Sequence, residues 1–252
     1  METKRTIKSV ETMFDILELL RTQNGARLTD VADELGMAKS TVHQYLTTLE
    51  VREFVVREGD EYHVGLRFLD YGEFARSRNP VYDLAKESVR ELAELTEERA
   101  QFVIEEHGRG VYVYMAVGDR AVKTDSRIGK RVFLHATAAG KAILAHLPDR
   151  RIREVFDAPG LEPVTEHTVV DPDELREELE EIRDRGVAYN NQEDTLRLRA
   201  VGVPVMDADG TVLGALSVSG PTHRFKGEVL EREIPDLLLG IANELELNIE
   251  YM

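Results

Sequence analysis

The chain has 252 residues and a net charge of −16, with 48 Asp and Glu against 32 Lys and Arg. This length is sufficient for one small and one medium domain, each with its own core. The sequence has no apolar stretch of about 18 residues and a polar N-terminus, which predicts neither a transmembrane helix nor a signal peptide. Without cysteine, it has no disulfides or thiolate metal sites. We therefore expect a cytoplasmic protein.

The acidity is concentrated in the second part of the chain. Residues 1–78 have a net charge of −3, and the remaining 174 residues have a net charge of −13. The basic residues comprise 24 Arg and only 8 Lys. Abundant acids with scarce lysine are typical of a salt-accumulating halophile, where molar salt screens self-repulsion. We therefore predict a halophilic protein.

Two helices are predicted before a tight turn. Apolar residues recur at helical spacing between residues 10 and 20, with Ser9 as a candidate N-cap. A second helical pattern over residues 28–35 ends at Gly36, which is free to adopt the positive φ that a helix-turn-helix needs here. Thr29 is the candidate cap of this helix and a candidate phosphate contact.

The next helix, over residues 39–50, has an apolar face and a polar face. Val42, Leu46 and Leu49 fall on one side, and the other side carries no acid before Glu50. Such a polar face suits the major groove, where donors and acceptors read base edges. We interpret this segment as a recognition helix with six candidate DNA contacts: Lys39, Ser40, Thr41, His43, Gln44 and Tyr45.

Two short strands are predicted at residues 54–56 and 62–64, around a turn that contains Gly59. Three helices followed by a β-hairpin form the order of a winged helix. The alternative is a helical hairpin whose polar face is merely solvated, and the two strands argue against it. Arg57 in the wing is a candidate contact to phosphate or the minor groove.

A linker helix is predicted between two domains. The helical pattern covers residues 66–78, and Asn79-Pro80 ends it because the residue before proline leaves the helical region. We predict a winged helix over residues 1–65, a linker helix over 66–79 and a second domain over 80–252. The apolar positions of 66–78 and 81–95 favour a dimer.

The second domain is predicted to mix helices and strands. Helices are expected over residues 81–96, from 137 to 147, from an Asp171 cap to Gly186, and over 228–248. Strands are expected over residues 102–104, 111–117, 187–190, 198–205 and 211–219, with Arg109-Gly110 as the turn between the first two. Helices on both sides of the strands indicate an α/β sensor-type sandwich, so the fold class is α+β overall.

Five stretches together resemble the IclR family of transcriptional regulators. They are residues 28–50, YHVGLRFLDYGEFARSR at 62–78, LHATAAGKAILAHLP at 134–148, GVAYNNQED at 186–194, and the strand pair over 200–225. The resemblance implies an N-terminal winged helix-turn-helix, a dimerising linker helix and a C-terminal GAF-like domain that binds a small effector. It also implies dimers or tetramers on palindromic operators. With the acidic composition, we predict a haloarchaeal member.

The resemblance places the effector site on ten residues. They are Thr137, Ala138, Ala139, Gly140, Asn190, Glu193, Ala200, Val201, Ser217 and Ser219. Two features favour it independently: small residues at a helix start leave backbone N–H groups for an anion, and alternation puts both serine hydroxyls on one strand face. These features suit a small organic acid or sugar derivative. The alternative is that the serines are core hydroxyls and Thr137 is only a cap.

No catalytic residue, cofactor or metal site is predicted. Ser217 lacks the flanking glycines of a nucleophile elbow, and Gly140-Lys141 lacks the rest of a phosphate-binding loop. The seven histidines show no pair at metal-ligand spacing. His135 could touch a ligand, but such a histidine is more often a packing residue.

The sequence therefore predicts a DNA-binding transcriptional regulator and not an enzyme. Its expected partners are a double-stranded DNA operator, a small-molecule effector and further copies of the chain in a homodimer or homotetramer, with no membrane. One alternative is a small-molecule enzyme or binding protein whose N-terminal domain only dimerises. Another is a regulator whose GAF-like domain only oligomerises.

Overall fold

A computed structural model describes residues 5–157 and 160–252 of the chain. The chain divides into two compact units, Met1–Ala75 and Arg76–Met252. None of the helices in these described ranges is long and apolar enough to cross a bilayer.

The first unit consists of three helices, a small sheet and most of a fourth helix, whose last two residues belong to the second unit. Its elements are α1 (Lys8–Thr22), β1 (Ala26–Arg27), α2 (Leu28–Glu34), α3 (Lys39–Val51), β2 (Val55–Glu58), β3 (Glu61–Val64) and α4 (Arg67–Ser77). β3 pairs antiparallel with both β1 and β2, so the sheet order is β1-β3-β2. The predicted winged helix-turn-helix is confirmed.

The core of this unit joins the first three helices to the wing. Ile16, Val31, Val42 and Leu46 are all fully buried in it. Gly36, between α2 and α3, has a φ of 62°, the left-handed conformation expected at this turn. Since the apolar faces of α2 and α3 both pack inward, the polar face of α3 remains on the outside.

Two predicted capping residues of the first unit are wrong. α1 begins at Lys8 with Ile7 at the N-cap position, so Ser9 lies inside the helix. α2 begins at Leu28 with Arg27 at the N-cap and no side-chain capping bond, so Thr29 does not cap it. The capping position has the extended backbone usual for an N-cap, but it is occupied by Arg27, whose side chain makes no capping bond. The two-residue β1 was not predicted, because it is too short to show alternation.

The second unit contains six strands and five helices among its described residues. The elements are α5 (Pro80–Thr96), β4 (Arg99–Glu106), β5 (Arg109–Val117), β6 (Arg131–Phe133), α6 (Ala138–His146), α7 (Asp149–Asp157), α8 (Pro172–Arg185), β7 (Ala188–Asn191), β8 (Leu198–Met206), β9 (Val212–Pro221) and α9 (Ile234–Glu250). A 3₁₀ turn, Leu134–Ala136, precedes α6, and a π-helical turn, Val229–Glu233, precedes α9.

The strands form one antiparallel sheet with helices on both faces. Its order is β6-β5-β4-β9-β8-β7. Phe102, Val201 and Leu216 face the side covered by α5 and α9. Val103 and Ala215 face the side covered by α6, α7 and α8. Because successive strand residues alternate between faces, each strand contributes to both cores. The predicted α/β sandwich is confirmed.

The connections of the second unit differ from prediction at two points. Arg109 and Gly110 belong to β5, and the turn before them is formed by His107 and Gly108, with φ of 53° and 77°. Pro148 ends α6 as predicted, but the chain enters α7 at the next residue. Proline stops one helix and is tolerated at the start of another, so its presence alone did not distinguish a loop from a new helix.

The predicted limits of α8 are confirmed by its capping contacts. The side chain of Asp171 accepts hydrogen bonds from the backbone N–H groups of Asp173 and Glu174, at 2.8 and 3.0 Å. These bonds hold the pKa of Asp171 below its ordinary value. Gly186 ends the helix with a φ of 72°.

Candidate nucleic-acid interface and effector cavity

The outer face of α3 carries most of the side chains predicted to contact DNA. Lys39, Ser40, His43 and Gln44 are exposed, and Thr41 is half-buried. The first turn of α3 contains no acidic residue. The positive end of the helix and the charge of Lys39 therefore lie at the same place, without an adjacent carboxylate on that turn.

Tyr45 differs from the other five residues. Its side chain is half-buried and packs against the apolar core of the first unit. Much of the ring therefore packs against the core and helps to hold α3 in place. A Tyr45 contact to DNA would be limited to the outer edge of the side chain.

Arg57 and Thr29 are both exposed, on β2 and α2 respectively. The Nε of Arg57 donates to the carbonyl oxygen of Gly59 at 3.1 Å. Its guanidinium lies 5.6 Å from the ring centroid of Tyr62. These contacts hold a positive charge near the tip of the wing.

The second unit contains a cavity of about 510 Å³, including its mouth, on the face of the sheet that carries α6. Seven of the predicted effector residues line it: Thr137, Ala138, Ala139, Asn190, Ala200, Ser217 and Ser219.

Strand pairing aligns four of the lining residues in one row across the sheet. Arg99 on β4 pairs with Ser219 on β9, and Ser219 pairs with Ala200 on β8. Ala200 in turn pairs with Asn190 on β7. With neighbouring strands about 4.8 Å apart, the row spans roughly 14 Å. It forms one side of the cavity floor.

A second row lies beside the first and runs under the start of α6. Gln101 pairs with Ser217, and Ser217 pairs with Gly202. A Cβ atom at Gly202 would lie 2.7 Å from the carbonyl carbon of Ala138 and 2.8 Å from the nitrogen of Ala139. Glycine therefore allows the first turn of α6 to lie directly on β8.

The N-terminus of α6 is the positive end of the cavity. The side-chain oxygen of Thr137 accepts from the N–H of Gly140 at 3.1 Å, as predicted for a cap. The N–H groups of Ala138 and Ala139 belong to the first turn and have no partner within an α-helix. Together with the helix dipole they suit an anionic group.

Gly140 does not line the cavity. Its N–H is used by Thr137, and a Cβ atom at this position would collide with the backbone of Leu134. Its role is close packing of α6 against the preceding turn. Asn190 supports the same turn, since its side-chain nitrogen donates to the carbonyl of Ala136.

Glu193 also lies outside the cavity, contrary to the prediction. Its carboxylate oxygens lie 2.8 and 3.0 Å from the Nζ of Lys141, and one of them accepts from the N–H of Asn191 at 3.0 Å. Lys141 also contacts Glu178 at 2.6 Å. Since Lys141 is only 1% exposed, it draws the Glu193 side chain into the interior.

Val201 is the third predicted residue that does not line the cavity. It is fully buried on the opposite face of the sheet, in the core formed with α5 and α9. Its neighbour Ala200 faces the cavity, as strand alternation requires. The prediction had treated the two residues as one unit.

Arg99 and Gln101 are cavity residues that the sequence analysis missed. Both are buried, at 7% and 6% exposure. The Nη1 of Arg99 donates to the hydroxyl of Thr124 at 2.6 Å, and its Nη2 donates to the carbonyl of Val122. Burial lowers the pKa of Arg99. The two residues precede the apolar run from which β4 was predicted, and their i, i+2 spacing was the signal available.

Asp194 is a further lining residue that was missed. Its side chain accepts from the hydroxyl of Thr195 at 2.9 Å. Burial raises the pKa of Asp194, with the Thr195 bond acting in the opposite direction. The cavity wall thus contains a carboxyl group whose charged form is disfavoured by desolvation.

His135 is a packing residue and does not contact the cavity, which was the second of the two interpretations of its sequence position. Its imidazole is 2% exposed and its Nε2 lies 3.0 Å from the carbonyl oxygen of Glu162. Burial lowers the pKa of His135. Within residues 5–157 and 160–252, no group of three or more His, Asp or Glu side chains is arranged to hold a metal ion.

Two family models match the chain and together cover almost all of it. The IclR helix-turn-helix domain matches residues 9–59, and the bacterial transcriptional regulator IclR C-terminal domain matches residues 74–246. The chain belongs to the IclR family of transcriptional regulators. Its winged helix is the DNA-binding domain of that family, and its second unit is the effector-binding domain.

Similar proteins support the assignment over the full length. The chain is 32% identical to a "Probable HTH-type transcriptional regulator ArcR" of Halobacterium salinarum, over 98% of this chain and 95% of that protein. It is 33% identical to the HTH-type transcriptional regulator BhcR of Paracoccus denitrificans, over 96% and 88% of the two chains.

Solved structures show the same fold. The IclR structure from Thermotoga maritima matches with a TM-score of 0.80 at 30% identity, over 96% of this chain and 99% of that chain. An IclR homolog from Microbacterium hydrocarbonoxydans, complexed with 4-hydroxybenzoate, matches with a TM-score of 0.79 at 21% identity, over 94% and 97%. At 21% identity, the second match shows only that the fold is shared.

Proposed function

We propose that this chain reads an operator through α3 and the wing, and that a small organic acid or sugar derivative in the cavity changes its affinity for that operator. Effector binding is supported by the open, positive N-terminus of α6, which lies beside the hydroxyls of Ser217 and Ser219. In this proposal the chain is a regulator and not an enzyme, and it works in the cytoplasm.

The assignment of DNA contacts rests on exposure and charge. Gln44 is exposed near the start of α3 and has the donor and acceptor needed for a bidentate contact to adenine. His43 lies beside it, and Lys39 adds positive charge. Arg57 in the wing is exposed, and its guanidinium donors match the oxygens of a phosphate. Ser40, Thr41, Tyr45 and Thr29 complete the proposed contact surface.

The proposed domain limits follow the sequence patterns. The winged helix would span residues 1–65, the linker helix residues 66–79 and the effector domain residues 80–252. α4 fits a linker because none of its residues is buried. Leu66 lies just before α4 and Leu69 lies within it, and the two side chains are 80% and 69% exposed. A second copy of the chain would cover them, and we propose a homodimer or homotetramer.

The acidic composition supports a halophilic protein. A net charge of −16 is tolerated best where salt shortens the range of repulsion to a few ångströms. The similar regulator from Halobacterium salinarum agrees with this interpretation. Thermal unfolding in dilute buffer and in molar KCl tests it, and equal stability in both would contradict it.

The decisive experiment is binding of the purified chain to its own promoter duplex in roughly molar KCl, beside a scrambled duplex. We expect retention of the promoter only, and its release by a small acid. A chain that retained no DNA but turned over a metabolite would instead be an enzyme with a dimerising N-terminal domain. If the promoter is retained specifically but small acids do not change the melting temperature, the second unit only oligomerises.

A further inference from the structure

We infer that a gate made of two loops controls access to the cavity, and that Arg99 holds the gate closed. One loop joins β5 to β6 (residues 118–130), and the other joins β7 to β8 (residues 192–197). Because the gate governs the passage of a small molecule into the cavity, the inference rests on the effector-binding function proposed above. It adds a conformational step and a positioning residue to that site.

Three residues line both the cavity and an outer groove on the second unit. They are Thr124 on the β5–β6 loop, Thr195 on the β7–β8 loop and Leu198 at the start of β8. The groove meets solvent, since its lining residues Lys123 and Arg197 are exposed. Residues that line two spaces stand between them, so the two loops separate the cavity from the groove. Movement of either loop away from the other would join the two spaces.

The β7–β8 loop is the fixed side of the gate. The carboxylate of Glu193 is held by the buried Lys141, and the carbonyl of Glu193 accepts from the hydroxyl of Thr168 at 2.7 Å. The carbonyl of Gln192 accepts from the hydroxyl of Thr165 at 2.8 Å. Each of these bonds joins the loop to a residue far away in the chain. Opening of this loop would break all of them together, which makes it costly.

The middle of the β5–β6 loop has few such bonds. Among the residues that the structure describes, no backbone N–H between residues 122 and 128 donates to an atom outside the loop. Asp125 is exposed and binds Lys130 of the same loop at 2.8 Å. Thr124 and Ser126 are half-buried and line the cavity. A segment with so few bonds to the core opens locally at a low cost in free energy.

Arg99 supplies the bonds that hold this segment to the sheet. From β4, its Nη1 donates to the hydroxyl of Thr124 at 2.6 Å and its Nη2 donates to the carbonyl of Val122. A charged donor in a buried position makes hydrogen bonds that are stronger than neutral ones. The hydroxyl of Ser126 also bonds with that of Tyr112. Loss of the Arg99 bonds therefore releases the part of the loop that carries Thr124.

Both ends of the β5–β6 loop are fixed. At its start, the N–H of Arg120 donates to the carbonyl of Glu97 at 2.9 Å, and Arg224 donates to the carbonyl of Arg120 at 2.7 Å. At its end, the N–H of Gly129 donates to the carbonyl of Tyr112 at 2.9 Å. Motion is therefore confined to the middle of the loop, next to the cavity.

The test measures solvent access to the cavity with a thiol. The chain has no cysteine, so a single introduced cysteine is the only site that reacts with a disulfide reagent. Ser217→Cys places the thiol in the cavity wall, at a position 1% exposed. Val218→Cys places it on the opposite face of the same strand, at a position 0% exposed, and reports general loosening of the fold. Ser219→Cys is a second reporter in the cavity wall.

Each variant is treated in molar KCl with the neutral reagent dithiodipyridine, and the absorbance of the released thiopyridone gives the labelling rate. Adding Thr124→Val to Ser217→Cys should raise this rate about tenfold, because the closed gate loses a charge-assisted hydrogen bond. Ser219→Cys should respond in the same direction. Adding Thr195→Val makes the same chemical change on the fixed loop and should leave the rate almost unaltered.

Neither threonine substitution should change the labelling rate of Val218→Cys. Melting temperatures of all variants are measured beside the rates. If Thr124→Val accelerates labelling at positions 217 and 218 alike, it loosens the whole unit, and the gate is contradicted. Equal acceleration by Thr124→Val and Thr195→Val would remove the distinction between a mobile and a fixed loop.

Two further outcomes would overturn the inference. No acceleration by Thr124→Val would mean that the Arg99 bond does not limit access. Labelling of Ser217→Cys alone at the rate of the chain unfolded in denaturant would mean that the cavity has no gate. The measurement needs no effector, so retention of the promoter duplex by the wild-type chain tests the regulatory function separately.

Discussion

Lys141 and Glu193 form a buried ion pair that joins α6 to the loop after β7, with the ammonium 2.8 and 3.0 Å from the two carboxylate oxygens. Glu178 on α8 completes the group at 2.6 Å. Asp194, the residue after Glu193, lines the cavity. The ion pair therefore fixes the position of the helix that carries the proposed anion site relative to a loop that contributes Asp194 to the cavity wall.

Replacing Lys141 with methionine should strongly destabilise the second unit. Two carboxylates would remain in the interior without their cation, and breaking such a buried pair costs about 3 to 5 kcal/mol. Chemical denaturation at fixed KCl concentration measures the free energy of unfolding. The exposed Lys123 offers a matched control, because Lys123→Met makes the same change on the surface. Equal losses in the two variants would show that the pair is not important for stability.

Asp194→Asn should make the protein more stable at neutral pH. Because burial raises the pKa of Asp194 above its ordinary 3.8, the folded state holds this proton more tightly than the unfolded state. The contribution of Asp194 to the free energy of unfolding is greatest below pH 3.8 and is lost as the pH rises through the pKa of the folded state. The stability difference between the variant and the wild type should therefore grow with pH and then level off, as followed by melting temperature.

The control for that experiment is Asp209→Asn, at an exposed turn. Its difference from the wild type should lack the rise expected for Asp194→Asn. If the stability gain of Asp194→Asn over the wild type is no greater at neutral pH than at low pH, the Asp194 carboxylate is not desolvated in solution.

Gly202→Ala should separate the start of α6 from the sheet. The added Cβ would lie within 2.8 Å of two backbone atoms of Ala138 and Ala139. Overpacking of this kind costs about 1 to 3 kcal/mol, and acid binding should weaken with it. Gly240→Ala in α9 has open space and should be neutral or stabilising. Unfolding and titration with gluconate measure both effects, and unchanged titration in Gly202→Ala would contradict the contact.

Gln44→Ala and Arg57→Ala should affect DNA binding differently. Loss of Gln44 removes a base contact, so discrimination between promoter and scrambled duplex should fall by about 1 to 3 kcal/mol. Loss of Arg57 removes a phosphate contact, so both duplexes should bind more weakly by the same factor. Titrations of each variant with both duplexes measure these changes in affinity. Equal losses on both duplexes for both variants would contradict this division of roles.

Leu69→Glu in α4 should reduce the oligomeric state. An exposed leucine contributes to association only if a second copy buries it, and a charge at that position opposes burial. Light scattering during size exclusion gives the molar mass. Val51→Glu, at a 76% exposed position at the end of α3, is the matched control and should leave the mass unaltered. A mass unaffected by Leu69→Glu would place the interface elsewhere.

The sequence predicted elements with strong periodicity and missed features that depend on distant pairing. The faces of α2 and α3, the Asp171 cap and the Gly186 stop follow from local chemistry, and all were predicted correctly. β1 and β6 have two and three residues, and their existence depends on the strands beside them. A strand of two or three residues is too short to show alternation, so its own sequence does not predict it.

The candidate cavity was predicted in part for the same reason. Thr137 and the two serines were found because each has a local pattern, a helix start or a strand alternation. Arg99 and Gln101 are polar residues on a strand whose predicted range began at Phe102, so they were treated as outside it. Glu193 was misassigned because its buried partner, Lys141, is 52 residues away in the chain.

The close contact of α6 with Gly202 has a consequence for how this family of cavities could change over time. The proposed anion site consists of main-chain atoms, so substitutions among small side chains would hardly alter it. Discrimination between ligands would instead depend on side chains of β4 and β9, where single substitutions leave the helix start intact. New ligands could then be acquired one strand residue at a time, while recognition of the carboxylate is inherited unchanged.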